Sequence, residues 1–270
     1  MKDIRVLFVN QEIEPYVVGT RMATLGRELP VQAQEMGLEV RTFMPKFGVI
    51  NERRNQLHEV IRLSGLNLVI AGADHPLIIK VASEQQKRLQ FYFIDNEDYF
   101  LRRGIYYDEL ELPYKDNDQR ALFFARGVLE TVKKLRWIPD VIHCNGWFTA
   151  FVPLLVRTLY SHEPTFSKVK VLYTLYEDRL SEPFGADLAS TVESLRIPNG
   201  AKELLGQGTH EAVTKVAIQY SDAVGKGSAD VSRHLIDYAK EQGKELLDVR
   251  TKELQRTAYE ALYARESVPE

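Results

Sequence analysis

The chain has 270 residues, 44% of them hydrophobic, with 16 glycines and 11 prolines. That composition excludes a disordered, collagen-like or disulfide-built protein. Thirty-five Lys and Arg against 38 Asp and Glu leave a net charge of −3, which gives no basic footprint for nucleic acid or an anionic membrane. The lone Cys144 neither closes an internal disulfide nor supplies metal-ligand spacing, so no metal or cofactor is expected. No apolar run approaches the roughly 18 residues of a membrane helix. The start of the chain carries no cleavage-site pattern, and a cytoplasmic protein is the default expectation.

In chain order, Ile4 to Val9 is a short, nearly continuous apolar run and predicts a buried parallel strand. Arg21 to Met36 has helical spacing ended by Gly37, and Pro30 inside it predicts a kink or two shorter helices. Val40 to Met44 is the next strand, which completes a βαβ unit. From about Leu57 to Phe93 apolar and polar residues alternate, the pattern of antiparallel strands with one wet face. Asp95 to Lys115 reads as an aromatic-rich loop and Asn117 to Leu135 as a helix. Asp140 to Cys144 and Val169 to Thr174 are further strands, with a helix from Phe148 to Leu159 between them. Ala212 to Tyr220 and Val231 to Ala239 are helices around a short strand at Ala223-Val224. The fold class is therefore α/β: a Rossmann-like, doubly wound parallel sheet with an antiparallel insertion. A boundary is expected at Gly243. The charged segment Glu245 to Ala264 reads as a helix whose Leu247, Leu254 and Ala261 recur at seven. This stripe either packs on the chain's own sheet or meets a partner, including a second copy.

Doubly wound sheets bind ligands at the carboxyl ends of their strands. Here those ends are Asn10 to Arg21, Asn145 to Thr149, Tyr176 to Glu182 and Lys226 to Ser228. The first holds only Gly19, and no G-x-G-x-x-G or P-loop is present. There is no G-x-S-x-G elbow and no H-E-x-x-H. His143, at a strand end, reads as a satisfied core histidine. The aromatic cluster around Tyr99, Tyr106 and Tyr107 is core and loop packing, or else a surface on which sugar C–H faces stack.

Taken together, these segments resemble bacterial glycogen synthases and plant starch synthases, retaining glycosyltransferases of the two-domain GT-B type. The resemblance rests on several blocks: Val6 to Tyr16 with its Glu12-x-x-Pro15-Tyr16 turn, Leu29-Pro30, Gly37 to Arg41, and Met44 to Gly48. Phe93 to Phe100 with Gly104-Ile105-Tyr106, Asp116 to Arg126, and Pro139 to Ala150 complete it. It implies the N-terminal domain of that fold over residues 1–243, with residues 244–270 a charged helix and the C-terminal GT-B domain absent. It also implies glucosyl transfer from ADP-glucose to an α-1,4-glucan as the family activity.

Four cleft segments depart from the family pattern. Where the family has K-T-G-G-L, this chain has Val18-Gly19-Thr20-Arg21-Met22, losing the lysine and the glycine pair that lets backbone N–H groups approach a diphosphate. Asn145-Gly146-Trp147-Phe148 stands for H-D-W-H, Tyr176-Glu177 for H-N, and Lys226-Gly227-Ser228 for T-V-S. The cleft candidates are thus Glu12, Val18, Arg21, Asn145, Trp147, Phe148, Tyr176, Glu177, Lys226 and Ser228, with no catalytic residue assigned. The expectation is a homologue without autonomous transferase activity that binds an α-glucan or a protein partner. The alternative is a transferase half completed by a separate chain.

Overall fold

The computed structural model describes residues 4–84, 87, 89–177, 184, 188–193, 195 and 197–264. Strand β1 (Arg5–Asn10) sends Leu7 and Val9 to one face of the sheet and Val6 and Phe8 to the other, all fully buried. Helix α1 (Arg21–Glu35) begins where the Thr20 Oγ1 accepts the Ala23 N–H at 3.0 Å, an N-cap that satisfies one orphan donor. It stays a single helix through Pro30, so the two shorter helices do not occur. The missing N–H of Pro30 costs one bond, while its ring is buried with Leu25, Leu29 and Ala33. β2 (Glu39–Pro45) follows.

The alternating region gives β3 (His58–Glu59), β4 (Leu66–Ile70) and β5 (Ala73–Glu84). β6 (Leu89–Asp95) pairs antiparallel with β5 and parallel with β2, and so joins the insertion to the main sheet. The expected loop after it contains a short helix, α2 (Glu97–Phe100), capped by Asn96. Then come α3 (Asn117–Lys134), β7 (Val141–Asn145), a 3-10 turn (Trp147–Thr149), α4 (Phe151–Arg157) and β8 (Lys170–Leu175). α5 (Leu188–Glu193) and α6 (Asn199–Leu205) were not expected. α7 (His210–Tyr220), β9 (Ala223–Lys226) and α8 (Arg233–Glu241) match the sequence pattern within two residues.

The helix expected from Glu245 is a correction. Glu245–Asp248 is a strand, β10, parallel to β9, and only Lys252–Ala264 is helical, as α9. Pairing with β9 extends the sheet and buries Leu247, while the run of four residues is too short to carry a helical face of its own. The buried stripe differs too. Leu254 is exposed and Ala261 half-buried, while Gln255, Ala258, Tyr259 and Leu262 face inward at helical spacing. The stripe packs on the chain's own sheet, against Val6, Phe8, Val141 and Leu172.

The strand order is β10-β9-β8-β7-β1-β2-β6-β5-β3, with β4 on β5. From β10 to β6 every pairing is parallel. α1 and α9 cover one face, and α3, α4 and α7 the other. The chain winds outward from β1 through β2 and β6, then returns to β7 on the opposite side. The crevice between the carboxyl ends of β1 and β7 is therefore the topological switch point, where open α/β sheets bind ligands. Among the described residues, no helix is long and apolar enough to cross a membrane.

One buried carboxylate sets a pH dependence. Asp118, fully buried in the first turn of α3, accepts the Thr191 hydroxyl at 2.9 Å, while its other oxygen has no close hydrogen-bond partner among the described residues. Burial pushes its pKa up to about 6, against the Thr191 hydrogen bond that lowers it. The folded chain thus holds this proton more tightly than the unfolded chain. The resulting stability is full below the ordinary value of 3.8 and is lost as pH rises through about 6. Asp118→Asn should stabilise the protein at neutral pH by on the order of 2 kcal/mol. It should also flatten the stability profile between about pH 4 and 7, read from thermal melts of both proteins across that range.

Candidate functional site

At the switch point a cavity of about 270 Å³ opens between the loop after β1, the 3-10 turn after β7, and the ends of β8 and β9. Its wall includes Gln11, Glu12, Thr20, Tyr106, Tyr107 and Trp147, with Tyr176, Glu177 and Ser228 across from them. A second depression, of about 330 Å³, shares Arg21, Glu177 and Ser228 with it and continues to Asp230 and Arg250.

Glu12 organises the cavity. It is only 5% exposed. One carboxylate oxygen accepts the Thr20 hydroxyl and the other accepts the Tyr106 hydroxyl at 3.0 Å. Gly26 of α1 permits this placement, because a Cβ there would collide with the Glu12 carbonyl oxygen. Tyr106 is held in turn by its backbone: its carbonyl accepts the Asn117 side-chain N–H at 3.0 Å, and Arg120 donates to Asn117 Oδ1 at 2.6 Å. Thr20 therefore caps α1 and donates to Glu12 with the same hydroxyl.

Below the cavity lies an amide ladder. Tyr176 donates its hydroxyl to Asn145 Oδ1 at 2.9 Å, and Asn145 donates to Asn10 Oδ1 at 2.9 Å. Asn145 is fully buried and forms floor rather than wall. Gly146 turns the chain at φ +85°, and a Cβ on it would fall against Gln11 Oε1 and within 2.6 Å of Met22 Sδ. Gln11 Oε1 is already fixed by the Phe148 N–H at 2.9 Å. Gly146→Ala should destabilise by about 2 kcal/mol, from strain plus displaced contacts, measurable as a shift in denaturant midpoint. An acidic side chain does not fit at this position.

The sequence candidates separate on this geometry. Glu12, Trp147, Tyr176, Glu177 and Ser228 surround the cavity, with Arg21 at its mouth. Trp147 is nearly buried and meets Tyr106 edge-on at 5.6 Å between ring centroids. Arg21 donates to the Arg250 carbonyl at 2.6 Å and faces Glu28 at 3.7 Å, so α9's lead-in holds it. Phe148 is not in the cavity: it is fully buried among Phe47, Phe100, Phe124 and Tyr106. Val18 points away, 69% exposed beside a different depression with Tyr16, Val49 and Arg54. Lys226 lines neither cavity; its carbonyl accepts the Val249 N–H and its charge lies near Asp248. Residues 178–182 of the third segment lie outside the described residues. His143 is a core histidine, bonded to Tyr259 and Thr174.

Tyr106 and Tyr107 were legible only as members of an aromatic cluster, and Gln11, Thr20 and Met22 only as members of the turn after β1, none of them a named candidate. A carboxylate between two hydroxyls and several aromatic faces can receive ligand hydroxyls and support an apolar ring face. Among the described residues, no group of three or more His, Cys, Asp or Glu is gathered for a metal.

Comparison with known proteins bears on the family and the fold. The family described as "Starch synthase catalytic domain" matches residues 5–249. A glycogen synthase of Chlorobaculum tepidum is 35% identical over 243 residues, which is 87% of this chain and 48% of that protein. A glycogen synthase of Chlorobaculum parvum is 37% identical over 176 residues, 65% of this chain and 36% of that protein. The chain thus spans between a third and a half of the length of these relatives. Among solved structures, the catalytic domain of starch synthase IV from Arabidopsis thaliana, bound to ADP and acarbose, superposes with a TM-score of 0.71. The match is at 19% identity and covers 92% of this chain and 51% of that one; it gives the same GT-B glycosyltransferase fold. With its βαβ opening, its switch-point cavity and a family match over nearly its whole length, the chain belongs to the starch synthase catalytic domain family.

Proposed function

We propose that this chain binds an α-glucan in the switch-point cavity and does not itself transfer glucose from a sugar nucleotide. The carrying observation is the turn before α1. Donor diphosphates are held by open backbone N–H groups at a helix N-terminus. Here the Ala23 N–H is taken by Thr20, whose hydroxyl is in turn committed to Glu12. Arg21 adds a charge but is tethered to the Arg250 carbonyl and to Glu28. The remaining wall is aromatic and acceptor-rich, which suits sugar rings better than phosphates. The solved relative with ADP and acarbose carries a carbohydrate on the same fold, which supports the sugar-binding reading.

The test is a pair of measurements on the purified chain. Calorimetry should give saturable binding of maltooligosaccharides and none of ADP-glucose. Radiolabelled ADP-glucose with glycogen should give no incorporation above a heat-killed control. Incorporation in a preparation free of other synthases, or tight ADP-glucose binding, would overturn the proposal.

A further inference from the structure

The proton inventory of the cavity says more about its ligand than its shape does. The Thr20 and Tyr106 hydroxyls both spend their protons on Glu12, and Tyr176 spends its proton on Asn145. Among the described residues, no Lys or Arg nitrogen lies within ion-pair distance of Glu12, a carboxylate that is nevertheless 95% removed from solvent. A second carboxylate, Glu177, stands exposed in the lining of the same cavity, across from Glu12. Among the described residues, Arg21 is the cation at the mouth, and it is drawn aside to the Arg250 carbonyl and Glu28. Arg250 in the adjoining depression is already matched by Asp248 at 2.6 Å. An independent sign of an unfilled site is Ser228, 6% exposed, which lines both depressions with an Oγ that has no hydrogen-bond partner among the described residues. A buried carboxylate neutralised only by hydroxyls attracts a cation more strongly than the same group in water. Aromatic faces add to that preference.

We infer that the cavity selects a small hydroxylated organic cation, of the amino-sugar class, over neutral and anionic sugars of the same size. Its ammonium group sits between Glu12 and Glu177, its ring lies against the aromatic wall, and a ring hydroxyl meets Ser228 Oγ. At about 270 Å³ the cavity is below the usual 300–1,000 Å³ of drug-sized sites and takes one ring. This inference deepens the sugar-binding reading and rests on the same cavity.

The experiment is calorimetry on the full chain with glucosamine, at a pH where its amine is protonated, against glucose and glucose 1-phosphate. Glucosamine should bind about tenfold more tightly than glucose, with glucose 1-phosphate weakest. Glu12→Gln and Glu177→Gln should each reduce the ratio of glucosamine to glucose affinity toward one. Glu177 is exposed and, among the described residues, accepts no hydrogen bond, so its variant keeps the test valid where Glu12→Gln fails to fold. Equal binding of glucosamine and glucose would overturn the cation preference and leave the glucan reading standing. Glucosamine binding without maltooligosaccharide binding would do the reverse. Tightest binding of glucose 1-phosphate, or no binding of any of the three, would overturn the inference.

Discussion

Replacing Tyr259 with alanine should lower the unfolding free energy by about 4 kcal/mol or more. Tyr259 projects from α9 into the sheet, fully buried, with its ring edge-on to Phe8 and to His143. Removing a buried aromatic side chain costs about 3–5 kcal/mol. The substitution also strips His143 Nδ1 of its 3.0 Å partner, the Tyr259 hydroxyl, and an unsatisfied buried group adds roughly 1–3 kcal/mol. His143 cannot escape by charging, because full burial holds its pKa down at about 3. Tyr259→Phe keeps the ring and loses only the hydroxyl, so about 1–2 kcal/mol is expected. Truncation after Val249 acts in the same direction with a larger effect, since it uncovers Val6, Phe8, Val141 and Leu172 together and an exposed apolar patch invites association. Denaturant melts of the two point variants and light scattering of the truncation read these outcomes. Unchanged stability in Tyr259→Ala would mean that α9 contributes nothing to the core.

The second large effect belongs to Arg120. Its guanidinium is fully buried with no carboxylate ion pair among the described residues. It donates to the Tyr99 carbonyl at 2.7 Å and to Asn117 Oδ1 at 2.6 Å, and lies within 6 Å of the ring centres of Phe47, Phe100, Tyr114 and Phe148. Burial, with Arg102 nearby, lowers its pKa to about 10. Aromatic faces supply much of the solvation that water would give. Arg120→Ala should cost about 3–5 kcal/mol, from the emptied space and two stranded acceptors. Arg120→Met refills the space and removes a costly buried charge, so it should recover about half of the loss. Because Asn117 holds the Tyr106 backbone, Arg120→Ala should also weaken ligand binding at Glu12, through the three consecutive hydrogen bonds from Arg120 to Asn117, Asn117 to Tyr106 and Tyr106 to Glu12. Equal costs for the two variants would assign the effect to charge rather than packing.

Much of the architecture was legible because apolar runs such as Ile4 to Val9 and Val169 to Thr174 are six residues long and rich in β-branched and aromatic residues, which favours buried strands over helices. The strand ends then pointed to the cavity: Tyr176 lines it, Asn10 and Asn145 lie buried beneath it, and Lys226 lies outside it. The missed strand β10 has only Leu246 and Leu247 between charged residues, too short for a period, and a coincidental seven-residue spacing drew it into a helix. Phe148 went to the wrong side because its aromatic neighbours Phe47, Phe100 and Phe124 come from three distant segments. Tyr106 reaches Glu12 across 94 residues, and the dual use of Thr20 is invisible in a motif that registers only the missing glycines. Local pattern dictates the elements, whereas the hydrogen-bond partners of the site are tertiary.

The central claim, that the switch-point cavity takes a carbohydrate, can be read directly from Trp147. The chain has two tryptophans. Trp137 lies outside the cavity, bonded to Glu39 at 2.6 Å, while Trp147 forms part of the cavity wall. In a Trp137→Phe background, tryptophan emission therefore reports the cavity alone. Titration with maltotriose should change that emission along a saturable curve, and Tyr106→Ala should weaken the binding by about tenfold or more, through the lost ring face and the lost hydrogen bond to Glu12. Emission that stays flat to the solubility limit of the sugar, in a protein with an unaltered melt, would contradict the account.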